Sequence, residues 1–377
     1  MDVGLNETQL LVRSSAREFL EENCDTTFVR AMAEDPVGFT DEFWRQIAEL
    51  GWVGLTVPEE YGGAGMGFAD LSILLEEAGA ALMPGPLFST AVLGAEALKL
   101  AGSEEQKTDL LPRLAVGELK TALAFHEAAA VWAPGAVRDT TATETSDGWL
   151  LNGEKRFVAD AAGADMFIVA ARTGSDPERG ITLFLVPSAG ESRIESRPLN
   201  TVARDHAAIV SFGEVQLPAA AVLGEVNEGW PILRRLIQFG AAGKCAEMAG
   251  ASQKVLDTTV EFVKNRVQFG RPIGAFQAIQ HHCSNMAIDV QCVRQFSRQA
   301  AWTLGEGLDA TRQVSLAKAF ISEAYPRICA TAHQCHGGVG FTWEHDLHLF
   351  TRRGTAQRLA FGDARYHQEI VAASAGL

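Results

Sequence analysis

The sequence predicts a multi-domain α+β chain, helical at both ends and β-rich in the middle. Three observations carry this reading. Apolar residues recur at helical spacing up to about residue 120. Short β-branched and aromatic runs bounded by turn residues follow, to about residue 225. Helical runs too long for a lone surface helix then continue to the end, as in a bundle. At 377 residues the chain exceeds what one core usually holds, so the boundaries read 1–120, 121–225 and 226–377.

In the first region Leu10, Leu11, Ala16, Phe19 and Leu20 repeat at three-to-four spacing, as do Phe43, Ile47 and Leu50. Thr40-Asp41-Glu42 marks a helix start. Gly51 to Gly65 interrupts the pattern with a turn-rich loop, and Leu71, Leu74, Leu75 and Ala78 resume it. In the middle region the strand candidates are Trp149–Leu151, Met166–Ala170, Ile181–Val186 and Ala208–Phe212, with Asp147-Gly148, Asn152-Gly153 and Pro187 as punctuation. In the last region residues 237–266, 279–305 and 312–337 each predict one long helix.

Composition narrows the function. A net charge of -15 repels phosphate backbones and anionic lipid, which argues against nucleic-acid and membrane partners. The six cysteines lack metal or redox spacing, and Met1–Leu5 has no signal-peptide character. No apolar run approaches the ~20 residues of a membrane helix, so the expected compartment is cytoplasmic. His281-His282-Cys283, the His333/His336 pair, His345 and His348 form no ligand pattern, and no metal is expected. Hydrolase nucleophile motifs are missing.

Several motifs fall in a telling order: Leu55-Thr56-Val57-Pro58-Glu59-Glu60-Tyr61-Gly62-Gly63-Ala64-Gly65, then Gly102-Ser103-Glu104-Glu105-Gln106-Lys107, Leu111-Pro112, Gly117-Glu118, Leu223-Gly224-Glu225 and Gly229-Trp230. Arg266-Val267-Gln268-Phe269-Gly270-Arg271-Pro272-Ile273 and Gln334-Cys335-His336-Gly337-Gly338-Val339-Gly340 complete the series. Together they resemble the acyl-CoA dehydrogenases, flavoenzymes that oxidise the Cα–Cβ bond of a CoA thioester. The resemblance covers nearly the whole chain. It implies an N-terminal helical domain, a middle β-barrel or sandwich, and a C-terminal four-helix bundle.

The same resemblance implies FAD at a subunit interface, built from two half-sites. The half that one protomer lends its neighbour matches here as Arg266, Phe269, Gln277, Gln334, Gly337 and Gly338. Arg266 suits a pyrophosphate oxygen, and glycines let backbone N–H groups come close. The half that a protomer keeps for its own flavin departs from the family pattern. Where the family has Thr/Ser-Glu-x-x-x-Gly-Ser-Asp, this chain has His126-Glu127-Ala128-Ala129-Ala130-Val131-Trp132-Ala133. After Asn152-Gly153-Glu154-Lys155, Phe157 and Ala159 replace the family's aromatic and hydroxyl pair. The family's catalytic glutamate position is Phe361, followed by Gly362-Asp363. The alternative base position on the first C-terminal helix is Gly240-Ala241, which leaves Asp363 and Glu247 as the remaining carboxylates.

What is lent to a neighbour is intact and what is kept is eroded. That asymmetry resembles the base-less subunit of bacterial α2β2 acyl-CoA dehydrogenases, of which the steroid side-chain enzymes are one kind. The expected partners are a paralogous subunit, an acyl-CoA (a steroid-derived thioester first) and an electron-transfer flavoprotein. Two other readings stand beside it: an active homotetramer using Asp363 or Glu247 as base, and a non-enzymatic scaffold or CoA-thioester binder.

Overall fold

A computed structural model describes residues 4–129, 131–176, 178–189 and 193–377. Met1–Val3 of the N-terminal reading and Ala130 of the eroded flavin loop lie outside the described residues. In chain order the helices are α1 (Glu7–Asn23), α2 (Thr26–Glu34), α3 (Asp41–Glu49), α4 (Phe68–Ala80), α5 (Ala95–Ala101) and α6 (Glu104–Ala115), then α7 (Gly229–Asn265), α8 (Gln277–Gly305), α9 (Thr311–His336), α10 (Leu347–Gln357) and α11 (Ala364–Ser374). The strands are β1 (Thr121–Ala124), β2 (Thr141–Thr145), β3 (Gly148–Val158), β4 (Met166–Arg172), β5 (Ile181–Pro187), β6 (Ile194–Pro198), β7 (Ala208–Leu217) and β8 (Val222–Leu223), with a separate hairpin of β9 (Val267–Gln268) and β10 (Arg271–Pro272). These elements fall into two compact units, one of residues 1–30, 68–83 and 241–377, the other of 31–67 and 84–240.

The first unit is helical. α9 is its hub, with α8, α10 and α11 all packed on it. α4 passes α7 at two glycines. A Cβ on Gly250 would lie 1.7 Å from the Glu76 carbonyl oxygen, and one on Gly79 would lie 2.0 Å from that of Glu247. Small residues therefore set how closely these two backbones approach. α1 begins at a reciprocal capping box of Asn6 and Gln9.

The α1 pattern needs a correction. Leu10 and Leu11 are 51% and 70% exposed, and only Ala16 and Leu20 of that helix are buried. The inward face is polar instead. Arg13 and Arg17 reach Glu76 (2.6 Å) and Glu77 (3.0 Å), two buried carboxylates of α4, and Arg298 of α8 meets Glu76 at 3.1 Å. Buried charge has to be answered by charge, so here pairing overrides apolar periodicity.

The second unit holds an eight-stranded sheet in the order β6-β7-β3-β2-β4-β5-β8, with β1 pairing parallel to β4. β2 and β3 form a hairpin whose Thr145 pairs with Gly148 across Ser146-Asp147. All four predicted runs lie inside strands, namely β3, β4, β5 and β7. Asn152-Gly153 is not a turn, however. Gly153 lies inside β3 at a register shift, where φ is +145° and a Cβ would meet Thr140 Cα at 2.5 Å. The Ser103–Gln106 motif is a capping box, and the Gln106 amide also donates to the Ala220 and Val222 carbonyls at 2.9 Å each, tying α6 to β8. Among the described residues no helix is long and apolar enough to cross a membrane.

Candidate functional site

Phe361, where the sequence leads one to expect the base, sits on a turn that the helical unit fixes firmly. Phe361 (φ +57°) and Gly362 (φ +98°) both take left-handed backbone between α10 and α11. The buried Lys318 ammonium of α9 donates to the Gly362 carbonyl (2.7 Å), the Arg358 carbonyl (2.9 Å) and Ser322 Oγ (3.2 Å). Burial lowers Lys318 to about 8, against the pull of Cys245 and Asp363. The His367 ring lies 2.9 Å from the Phe361 carbonyl through Nε2 and 3.1 Å from Ser315 Oγ through Nδ1. Burial, reinforced by Lys318, takes His367 down to about 4, so the ring is neutral at pH 7 and its Nε2–H donates to Phe361. The turn thus holds position 361 in a left-handed conformation that is unusual for a bulky residue, and the side chain it presents is an apolar ring, 9% exposed. A phenyl group accepts no proton.

Neither remaining carboxylate is free. Asp363 is the N-cap of α11 and accepts the Tyr366 amide at 2.8 Å. Glu247 Oε2 accepts from Lys244 Nζ at 2.8 Å and from Gln357 Nε2 at 2.7 Å. Gly240 and Ala241 are buried within α7 and offer nothing larger than a methyl group.

The six residues expected to serve a neighbour are all exposed, on three segments of the helical unit. Arg266 follows α7, and its guanidinium has no hydrogen-bond or ion-pair partner among the described residues. The β9–β10 hairpin turns at Phe269 (φ +52°) and Gly270 (φ +79°), the pattern of a two-residue turn with both central residues left-handed. That turn holds Phe269 out, 92% exposed. Gln277 opens α8, and Gln334 lies in the last turn of α9. α9 ends at Gly337 (φ +63°), and around both Gly337 and Gly338 nothing lies within 4 Å of where a Cβ would be. An unpaired cation, a presented aromatic ring and two open glycine backbones fit a dinucleotide approaching from outside the chain.

The eroded loop of the β unit is filled by its own side chains. His126 packs edge-on against Trp132 with centroids 4.0 Å apart, and Phe125 stacks on Trp132 at 5.8 Å and reaches Trp230 at 6.3 Å. Burial takes His126 down to about 4, with Lys155 pushing the same way. Glu127 points inward. It accepts the Lys155 ammonium (2.8 Å) and the backbone N–H groups of Arg138 (2.9 Å), Asp139 (2.8 Å) and Thr140 (3.1 Å). Burial alone would raise its carboxyl, but Lys155 and these amides outweigh burial and hold it below the ordinary range. Phe157 (φ +54°) is 55% exposed. Glu127 and Lys155 therefore serve the fold, and aromatic rings stand in this loop where the resemblance would have hydroxyls.

Sequence reasoning passed over Lys318 and Trp132. A lysine amid Val314-Ser315-Leu316-Ala317 and Ala319-Phe320-Ile321 was the available signal for the first. For Trp132 there was none, because its partners His126 and Trp230 come together only in the fold. Among the described residues no group of three or more His, Cys, Asp or Glu is arranged to hold a metal.

Models of the acyl-CoA dehydrogenase N-terminal, middle and C-terminal domains match residues 6–118, 122–217 and 227–376. A probable acyl-CoA dehydrogenase of Bacillus subtilis, YngJ, is 30% identical over 387 residues, which cover 99% of this chain and 99% of that protein. The crystal structure of an acyl-CoA dehydrogenase from Geobacillus kaustophilus superposes with a TM-score of 0.93 at 27% identity, covering 100% of both chains. A chain of the ChsE4-ChsE5 complex from Mycobacterium tuberculosis superposes with a TM-score of 0.89 at 26% identity, covering 100% of this chain and 99% of that one.

Proposed function

The chain belongs to the acyl-CoA dehydrogenase family, and we propose that it is the base-less subunit of an α2β2 complex, completing an FAD site on a paralogous partner. The observation that carries this reading is Phe361, an apolar ring fixed where the base is expected, while Asp363 and Glu247 are committed to other partners. The exposed Arg266, Phe269, Gln277, Gln334, Gly337 and Gly338 supply the complementary half. Likeness to a chain of a two-component complex supports the hetero-oligomeric form. The complex would dehydrogenate an acyl-CoA across Cα–Cβ and pass electrons to an electron-transfer flavoprotein, with a steroid-derived thioester as the first substrate to try.

FAD, when bound, supplies the hydride acceptor. This chain's residues bind and orient. Arg266 neutralises a pyrophosphate oxygen, the Gly337 and Gly338 backbones admit close approach, and Phe269 covers an apolar surface. The partner removes the Cα proton.

Two outcomes test the division of labour in the co-expressed complex. Arg266→Ala removes charge-assisted hydrogen bonds worth about 1.5–3 kcal/mol, so FAD affinity should fall ~10–100-fold. Fluorescence titration of released flavin measures it. Asp363→Asn and Glu247→Gln should leave kcat nearly unchanged, where loss of a true base costs ~10²–10⁴. A collapse with either one identifies that residue as the base and favours the homotetramer.

A further inference from the structure

Four imidazoles crowd the short turn Gly337–Phe341 that ends α9. His336 stacks on Phe262 (4.2 Å) and meets His345 edge-on (4.8 Å), His333 stacks on Phe341 (4.5 Å), and His348 stacks on Trp343 (4.7 Å). Gly340 makes room for this, since a Cβ there would lie 2.8 Å from His336 Cβ and 3.4 Å from His333 Nδ1. The rings are held by few hydrogen bonds. His333 Nε2 pairs with Thr351 Oγ1 (2.8 Å), His336 Nδ1 with the Ala332 carbonyl (2.8 Å), and His345 Nδ1 accepts the Leu347 amide (3.1 Å), while His348 Nε2 lies 3.3 Å from the Trp343 carbonyl and 3.5 Å from the Arg30 guanidinium. Three buried nitrogens, His333 Nδ1, His336 Nε2 and His348 Nδ1, have no partner among the described residues.

We propose that His333, His336 and His348, packed together with His345, form a proton-operated latch, holding the Gly337–Phe341 turn shut while neutral and releasing it when protonated. The charges facing the cluster favour release. Arg30 and Arg352 lie over the Trp343 ring at 6.0 and 5.3 Å, and Asp346, the acid that pulls the other way on His348, is already paired with Arg30 at 2.8 Å. From α7 the cluster is met by the uncharged ring of Phe262. Burial holds His333, His336 and His348 below the ordinary imidazole range. His345 adds to this for the first two, and Arg30 and Arg352 for the third. A depressed imidazole binds its proton more readily when the turn is open. The latch is therefore complete above the open-state value of ~6.5 and weakens as pH falls below it.

The inference rests on the proposed function only for its consequence, because the same turn carries Gly337 and Gly338. Its test needs neither flavin nor partner. Hydrogen-exchange protection of amides 337–342, corrected for intrinsic rate, should fall about tenfold or more between about pH 7.5 and about pH 5.5 in the full chain. His336→Phe keeps the stack on Phe262 without a titrating nitrogen; combined with His348→Gln it leaves only His333 of the three depressed rings and should make that dependence markedly shallower. Should the pair fail to fold, His348→Gln alone, at a half-buried position, should reduce the slope. Equal slopes in wild type and variants, or no slope in wild type, overturn the latch. Either result leaves the flavin-sharing reading to stand or fall on its own measurements.

Discussion

Glu127→Ala is expected to destabilise the chain by about 3–5 kcal/mol, because it strands a fully buried ammonium. Lys155 is 0% exposed, and among the described residues its Nζ reaches, besides Glu127, only the Phe125 carbonyl, at 3.1 Å. Three backbone N–H groups, those of Arg138, Asp139 and Thr140, lose their acceptor at the same time. Against a total stability of roughly 5–15 kcal/mol, that loss separates a folded chain from a marginal one. Lys155→Met should cost less, since the carboxylate it leaves without a counter-charge keeps three backbone N–H donors, whereas Glu127→Ala strands the ammonium and those three amides together. The pH dependence has a definite sign. Glu127 is depressed in the fold, so its contribution is present above the unfolded carboxyl value of ~4.3 and fades as pH falls further. Urea midpoints of wild type and variant across that range measure both effects. A loss under about 1 kcal/mol would mean the pair is not buried as described.

Gly250→Ala is expected to cost about 3 kcal/mol or more and to disrupt the helical unit. The new methyl would sit 1.7 Å from the Glu76 carbonyl oxygen, which is backbone and cannot swing aside. α4 and α7 would have to separate, pulling Glu76 away from Arg13 and Arg298. In an exposed helix the same substitution gains about 1 kcal/mol of propensity, so sterics and propensity predict opposite signs. Gly79→Ala, whose methyl would lie 2.0 Å from the Glu247 carbonyl, should behave alike. Thermal melts decide it, and an unchanged or raised Tm in both variants would contradict the close crossing.

Much of this was legible in the chain because the signals were local. Thr40 caps α3 as Thr40-Asp41-Glu42 predicted, and the predicted β runs fell inside strands because turn residues bounded them. The sequence also located the motifs around Arg266 and Gln334, which the fold presents on exposed segments. What it missed depends on distant partners. β2 and β6 carry charged and hydroxyl residues on exposed positions, so no apolar run announces them. The polar inward face of α1 answers acids about sixty residues away on α4, and local periodicity contains nothing of that pairing. Gly153 reads as a turn because Asn-Gly usually is one. Only the approach of Thr140 makes it a strand irregularity. Asp363 looked like a spare acid until α11 was seen to start on it.

The central claim is that this polypeptide completes a flavin site it does not own. Flavin absorbance per chain, measured on the protein purified alone and again after co-expression with its genetic neighbour, tests that most directly. The account predicts negligible flavin alone and one flavin for each pair of chains in the complex. A full complement of flavin bound by this chain by itself, with turnover of an acyl-CoA, would contradict it.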